Sequence, residues 1–333
     1  MNKQSFYLAV FLACLLCLPS CSGEPKKNVI EKEPTAASQS VDVSAAPLEL
    51  EQKNSVADWA DFTLVKIVTT NKVEGSLNNG SYYENSNAGE TYVDVILDII
   101  NTNSQEIDSD DIVTLTAVSP SGTEYTNTIN AVETDSGKYV AAYEPITPLS
   151  TVRLHCAVSV PEQETDLILH LDVNGSPFTC SYTLGDTLVH STPLTIGTKL
   201  TAEDFGELVF QGTEYTDDLL PSNPSGFYTH YAVDNPDSTY LAVRFDLTNL
   251  QSTARDADTF AGVKACFMEK YTYTGFLVVE DTDGTGFSAY ESLDPLTCRH
   301  AVVLIEVPKT VADQSAVITF SFNGQEYTYT VAQ

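Results

Sequence analysis

Apolar and polar positions alternate with a period of two along most of the chain beyond residue 46. In Val152-Arg153-Leu154-His155-Cys156-Ala157-Val158-Ser159-Val160 the even positions form an apolar row, and in Asp166–Val173 the odd positions do. Ile318, Phe320 and Phe322 form a similar row near the C-terminus. Such runs bury one face and wet the other, as antiparallel sheets do. Asn174-Gly175 and Asn323-Gly324 each separate two of these runs. Both predict two-residue hairpins of type I′, a turn that needs positive φ at both central positions. With turn signals roughly every 8–12 residues and no convincing amphipathic helix, the pattern predicts an all-β chain.

The chain also repeats itself. Thr91-Tyr92-Val93-Asp94-Val95-Ile96-Leu97-Asp98-Ile99-Ile100-Asn101 matches Thr239-Tyr240-Leu241-Ala242-Val243-Arg244-Phe245-Asp246-Leu247-Thr248-Asn249 at a shift of 148. A second block runs without a gap from Ala131 to Pro161, at a shift of 147 and with ten identities in 31 positions. It includes Val132-Glu133 and Val279-Glu280, Gly137 and Gly284, Ala142-Tyr143-Glu144 and Ala289-Tyr290-Glu291, and Pro148-Leu149 and Pro295-Leu296. A period near 150 residues is too long for a solenoid and reads as tandem domains. The expected fold is two antiparallel, immunoglobulin-like β-sandwich domains, residues 47–185 and 186–333, each of seven or eight strands. The Cys–Trp–Cys core of antibody domains is absent, since the single tryptophan, Trp59, opens the first copy.

Residues 1–20 have the features of a secretory signal, with Lys3 before an apolar run from Leu8 to Leu18. Leu18-Pro19-Ser20-Cys21 then resembles the bacterial lipobox. A diacylglyceryl group on the Cys21 thiol would give a stable anchor, because two acyl chains succeed where one is marginal. Residues 21–46, rich in Ser, Ala, Glu, Lys and Pro, read as a flexible tether. At about 5–6 Å × √n it spans roughly 25–30 Å. The expected location is the extracytoplasmic face of the cell membrane. Lipobox, tether and the repeated T-Y-x-x-V-x-x-D-(I/L)-x-N strand together resemble bacterial lipoproteins with immunoglobulin-like domains of unknown function. That superfamily includes a secreted mycobacterial immunogenic antigen. The resemblance covers residues 47–333 and implies a surface β-sandwich without an assigned activity.

Charge narrows the range of partners. Acidic residues outnumber basic ones 46 to 16, a formal charge of −30. Both copies share it, at −16 (21 acids, 5 bases) over 47–185 and −14 (21 acids, 7 bases) over 186–333. Such a surface repels phosphate backbones, so no nucleic-acid partner is expected.

Of the seven cysteines, Cys14 and Cys17 belong to the signal and Cys21 is the lipid site. Cys156 with Cys180, and Cys266 with Cys298, are candidate disulfides of an extracytoplasmic protein, with buried thiols as the alternative. His155 and His170 fall on polar rows and read as solvent-facing, with a two-His metal site as the alternative. Asp108, Asp110 and Asp111, and the loop Asp281-Thr282-Asp283-Gly284-Thr285-Gly286, are weak calcium candidates. The second resembles the opening of an EF-hand loop but has Ser292 where the closing glutamate belongs. No nucleophile elbow, zinc helix or phosphate loop is present, and no cofactor is expected. The repeated Tyr143-Glu144 and Tyr290-Glu291 read as packing or turn chemistry. Tyr82-Tyr83 and Phe227-Tyr228, each just before the Thr-Tyr strand, are candidate binding loops. The expected function is a non-enzymatic binding or accessory module with a protein or cell-wall partner. The alternatives are a cell-wall hydrolase using a carboxylate pair and a calcium-stabilised stalk.

Overall fold

A computed structural model of the chain describes residues 44–77, 80–134 and 137–331. The signal segment, Cys21 and the tether lie outside the described residues, apart from the last few positions of the tether.

The alternating segments form strands, and seven principal ones build each of two sandwiches. The first contains β1 (Ala60–Thr70), β2 (Glu90–Asn101), β3 (Thr114–Val118), β4 (Thr128–Thr134), β5 (Thr151–Pro161), β6 (Asp166–Val173) and β7 (Ser176–Thr183). The second contains β8 (Gly206–Thr216), β9 (Ser238–Asn249), β10 (Ala261–Phe267), β11 (Phe276–Glu280), β12 (Cys298–Pro308), β13 (Ala316–Phe322) and β14 (Gln325–Val331). Sheets ordered β4-β5-β2-β1 and β7-β6-β3 face each other in the first, and β11-β12-β9-β8 and β14-β13-β10 repeat them in the second. All these neighbours are antiparallel, and this is an immunoglobulin-like arrangement. Each sandwich opens with a short segment lying parallel to its last strand, Ala46–Pro47 beside β7 and Ser191–Pro193 beside β14. Thr187–Val189 still pairs with β1, so only His190 separates the two sheet systems. The crossover thus falls a few residues beyond the boundary drawn from the repeat.

The inward rows make two cores. Phe62, Leu64, Leu97, Ile99, Leu154 and Val158 are central to the first. Phe210, Phe245, Phe260, Phe320 and Phe322 fill the second. Burying each such side chain stabilises the fold by about 1.5–3 kcal/mol. Both Asn-Gly hairpins have positive φ at both residues, 48° and 78° at Asn174-Gly175 and 46° and 72° at Asn323-Gly324.

The repeated asparagine ends its strand for a clear reason. Asn101 is fully buried, and its Nδ2 donates to the carbonyls of Gln105 (2.9 Å) and Ile146 (2.7 Å). Asn249 does the same toward Thr253 and Leu293, at 2.9 and 2.8 Å. One side chain thereby closes the loop that follows the strand and the loop that enters β5 or β12.

A register shift between Leu64 and Lys66 bulges β1, so Leu64 and Ile67 both reach the core while Lys66 turns outward. That outward face meets the β14-β13-β10 sheet of the second sandwich. Lys66 Nζ pairs with Glu326 Oε2 at 2.6 Å, and Lys138 Nζ with Asp258 Oδ2 at 3.0 Å. Arg153 Nη1 donates to the Gly324 carbonyl at 2.5 Å. At Gly262 the backbones come so close that a Cβ would lie 2.6 Å from Leu77 Cα. Gly262→Val should therefore wedge the sandwiches apart at a cost of about 1–3 kcal/mol. The expected readout is a lower melting temperature with a larger radius of gyration by X-ray scattering. Unchanged values would remove this contact from the interface.

Candidate functional site

The repeated Pro-Leu pairs sit in tight turns. Ser150 N–H donates to the Thr147 carbonyl (3.2 Å) and Thr297 N–H to that of Asp294 (3.1 Å). Proline holds the second position of each turn, and the third has φ of 62° at Leu149 and 59° at Leu296. A type II turn places positive φ there and prefers glycine. Tyr143 and Tyr290, a few residues earlier, are also left-handed, with φ of 61° and 62°. For a side chain of this size the conformation costs on the order of 1–2 kcal/mol. Packing does not repay it, because Tyr143, Leu149, Tyr290 and Leu296 are 75, 79, 86 and 77% exposed. The backbone around them is fixed: Leu149 N–H donates to Asn101 O (2.7 Å) and Leu296 N–H to Asn249 O (2.8 Å). Ser109 and Ala257 donate to the carbonyls of Glu144 and Glu291, at 3.0 and 2.9 Å. Each sandwich thus presents one tyrosine and one leucine from a pinned loop. Of the two expectations for this repeated pair, packing or turn chemistry, the tyrosines follow the second: their backbone shapes a turn while their rings stand in solvent.

The other repeated residues are internal. Glu133 accepts from Ser76 N–H (2.8 Å) and Ser76 Oγ (3.0 Å), and Glu280 accepts from Ser222 N–H (2.5 Å). Gly137 and Gly284 leave room for those serines, whose Oγ atoms would lie 2.2 and 2.3 Å from an added Cβ.

A second cluster was not anticipated from the sequence. His155 is 1% exposed, not solvent-facing, because the outward row of β5 is covered. Its Nδ1 lies 2.7 Å from Asp94 Oδ2 and its Nε2 3.1 Å from Glu133 Oε1. Burial disfavours the charged ring, but Asp94 and then Glu133 outweigh that and push its pKa up to about 10. Burial would raise Glu133, yet His155, Arg153 and Ser76 together hold it below its ordinary value. Beside them Arg153 binds Asp98 through Nε and Nη2, at 2.8 and 2.9 Å. The cluster lines a cleft of about 640 Å³ whose other wall includes Lys264, Thr319, Ser321 and Glu326. In the second copy Ala242 and Val302 stand at the positions of Asp94 and His155. That joint change from an ionic to an apolar pair is the signal the sequence carried.

The remaining candidates sort by geometry. His170 is exposed on β6, in the sheet opposite His155, so the two do not meet. The four cysteines among the described residues are unbonded in this structure. Cys156 and Cys180 face the first core, and burial raises both thiols, Cys180 to about 11. Cys266 and Cys298 point away from the second core from opposite sheets, so a bond cannot span them. Asp108 caps the short helix α1 (Ser109–Ile112), which carries Asp110 and Asp111, by accepting from Asp110 N–H at 3.1 Å. Asp283 Oδ1 accepts from Thr285 N–H (3.1 Å) and Oγ1 (2.7 Å), and Asp281 from Ser288 Oγ (3.3 Å). Among the described residues no three His, Cys, Asp or Glu side chains are placed to hold a metal ion. Tyr83 is tied down: its OH accepts from Ala142 N–H (3.1 Å) and its ring packs against the Val73, Tyr92 and Ala157 cluster. Tyr82 is exposed with Lys72 over its ring at 4.0 Å, and Phe227 and Tyr228 are exposed.

No protein-family model and no curated protein matches the chain. Among solved structures it is similar to an uncharacterized β-sandwich protein from Clostridium difficile 630, at 26% identity and a TM-score of 0.40, over 43% of this chain and 95% of that one. A marsupial T cell receptor matches 84% of this chain and 99% of its own at 6% identity, with a TM-score of 0.17.

Replacing His155 alone by Val leaves Asp94 and Glu133 buried without their shared cation and should cost about 3–5 kcal/mol in denaturant unfolding. The double change Asp94→Ala/His155→Val installs the second copy's solution and should recover most of that loss. The pH profile follows from both shifts. Raising the His155 pKa stabilises the fold fully below about 6.5, and that contribution is lost as pH climbs toward about 10. Lowering the Glu133 pKa stabilises above about 4.5 and is lost in more acidic solution. Stability should fall between pH 7 and 10 by up to about 1.4 kcal/mol per unit, and this slope should flatten in the double variant.

Proposed function

We propose that the chain is a membrane-anchored surface lipoprotein of the kind its lipobox and repeated strand resemble, acting as a non-enzymatic binding module. The observation that carries this reading is the pair of pinned loops: Tyr143 with Leu149, and Tyr290 with Leu296. Four large apolar side chains stand in solvent on backbone that each finds unfavourable, and folding gains nothing from them. Tyrosine gives wide contact area at low entropic cost, and leucine suits an apolar pocket. The same loop in each sandwich offers a partner two points of attachment. The high negative charge favours a partner that is neutral or basic where it meets these loops.

The test is cross-linking on intact cells, comparing wild type with Tyr143→Gly/Leu149→Gly and Tyr290→Gly/Leu296→Gly. Glycine suits the positive φ, so both double variants should melt at or above the wild-type temperature. Each should nevertheless lose a stoichiometric partner that wild type captures. Capture unchanged by both variants would contradict the reading. Cys21→Ala should move the protein from the detergent phase to the aqueous phase, and retention in detergent would remove the lipid anchor.

A further inference from the structure

The cleft between the sandwiches contains two groups that the fold leaves unsatisfied. Asp94 is 2% exposed; its Oδ2 is held by His155, while its buried Oδ1 has no hydrogen-bond partner. An orphaned buried acceptor costs on the order of 1–3 kcal/mol. Across the cleft Lys264 lies on the outward row of β10 and makes no ion pair among the described residues. Burial, and then the neighbouring Lys66, pull its ammonium below its ordinary pKa. Of the carboxylates near it, Glu326 is engaged by Lys66, and Glu74 is not within ion-pair distance.

The charges on the walls do not cancel evenly. Lys66 with Glu326 and Arg153 with Asp98 are neutral pairs. Protonated His155 between Asp94 and Glu133 leaves one net negative charge on the first wall. On the second wall Lys264 is a cation without an ion pair among the described residues, while the exposed Glu269 also lies on the lining. Thr319 and Ser321 add hydroxyls beside Lys264. A volume of about 640 Å³ falls within the usual range for small-molecule sites.

We propose that this cleft binds a small zwitterion of the amino-acid or short-peptide class, its ammonium donating to Asp94 and its carboxylate meeting Lys264. An ammonium supplies both the missing donor and the missing positive charge at Asp94, which a hydroxyl does not. A carboxylate supplies the counter-charge that Lys264 lacks. The site is separate from the solvent-exposed loops and is built only when both sandwiches are packed together.

The experiment is thermal-shift and calorimetric titration of the full chain in detergent with alanine, dialanine and trialanine. N-acetyl-dialanine lacks the ammonium, dialanine amide lacks the carboxylate, and glucuronate carries hydroxyls with a carboxylate. At least one zwitterion should raise the melting temperature in the millimolar range, and the two blocked peptides should bind on the order of tenfold more weakly. Lys264→Met removes an unpaired buried cation, so it should fold at least as stably as wild type and lose the ligand-induced shift. Asp94→Asn should also lose the shift, and Lys264→Met keeps the test valid should Asp94→Asn fail to fold. No shift with any zwitterion, an undiminished shift in Lys264→Met, or a shift with glucuronate equal to that with dialanine would overturn the proposal.

Discussion

The outward face of β1, β2 and β5 is charged and nevertheless buried, and the arrangement of the two sandwiches rests on how that conflict is resolved. Ions removed from water are costly unless each is met by a partner of opposite charge with good geometry. Here Asp94, Glu133 and His155 form one compensated group, Arg153 and Asp98 a second, and Lys66 reaches across to Glu326. The β1 bulge makes the last contact available, since a regular strand would send Lys66 toward the core. The Arg153 contact to the Gly324 carbonyl then ties the central strand of one sandwich to a hairpin of the other. With only His190 between their sheet systems, the sandwiches have little freedom to separate without exposing these groups.

Duplication explains which residues recur and which do not. Asn101 and Asn249, Glu133 and Glu280, and Gly137 and Gly284 each solve a local problem of the same fold: closing a loop, holding a serine, making room for it. Asp94 and His155 solve a problem that only the first copy has, a face pressed against a neighbour. The equivalent face of the second copy is covered by its own Leu219, Tyr231 and Phe287, and Ala242 and Val302 suffice there. Tyr143, Leu149, Tyr290 and Leu296 fit neither group. They recur without internal partners for their side chains, which is why the proposed binding role falls to them.

Much of the fold was legible in the sequence because it depends on local rules. Period-two rows gave Leu154, Val158, Phe320 and Phe322 their inward faces, and Asn-Gly marked both hairpins. Faces covered by a neighbour were not legible: alternation says that His155 turns from its own core, not that a second sandwich meets it. The cysteines show the same limit, since inward rows place Cys156 and Cys180 in one core without fixing their separation. Repetition pointed to packing or turn chemistry at these loops without saying that their side chains stand in solvent. Pro-Leu at a turn position that favours glycine was the local signal for an exposed, strained residue.

The claim on which the rest depends is that His155 is a buried imidazolium held between two carboxylates. With five histidines in the chain, nitrogen-detected NMR of imidazole-labelled protein can separate it from the others. At pH 8.5 the account predicts protons on both ring nitrogens of His155, in slow exchange with water. A neutral His155 with a single protonated nitrogen at that pH would contradict it, leaving Asp94 and Glu133 as uncompensated charges at the interface.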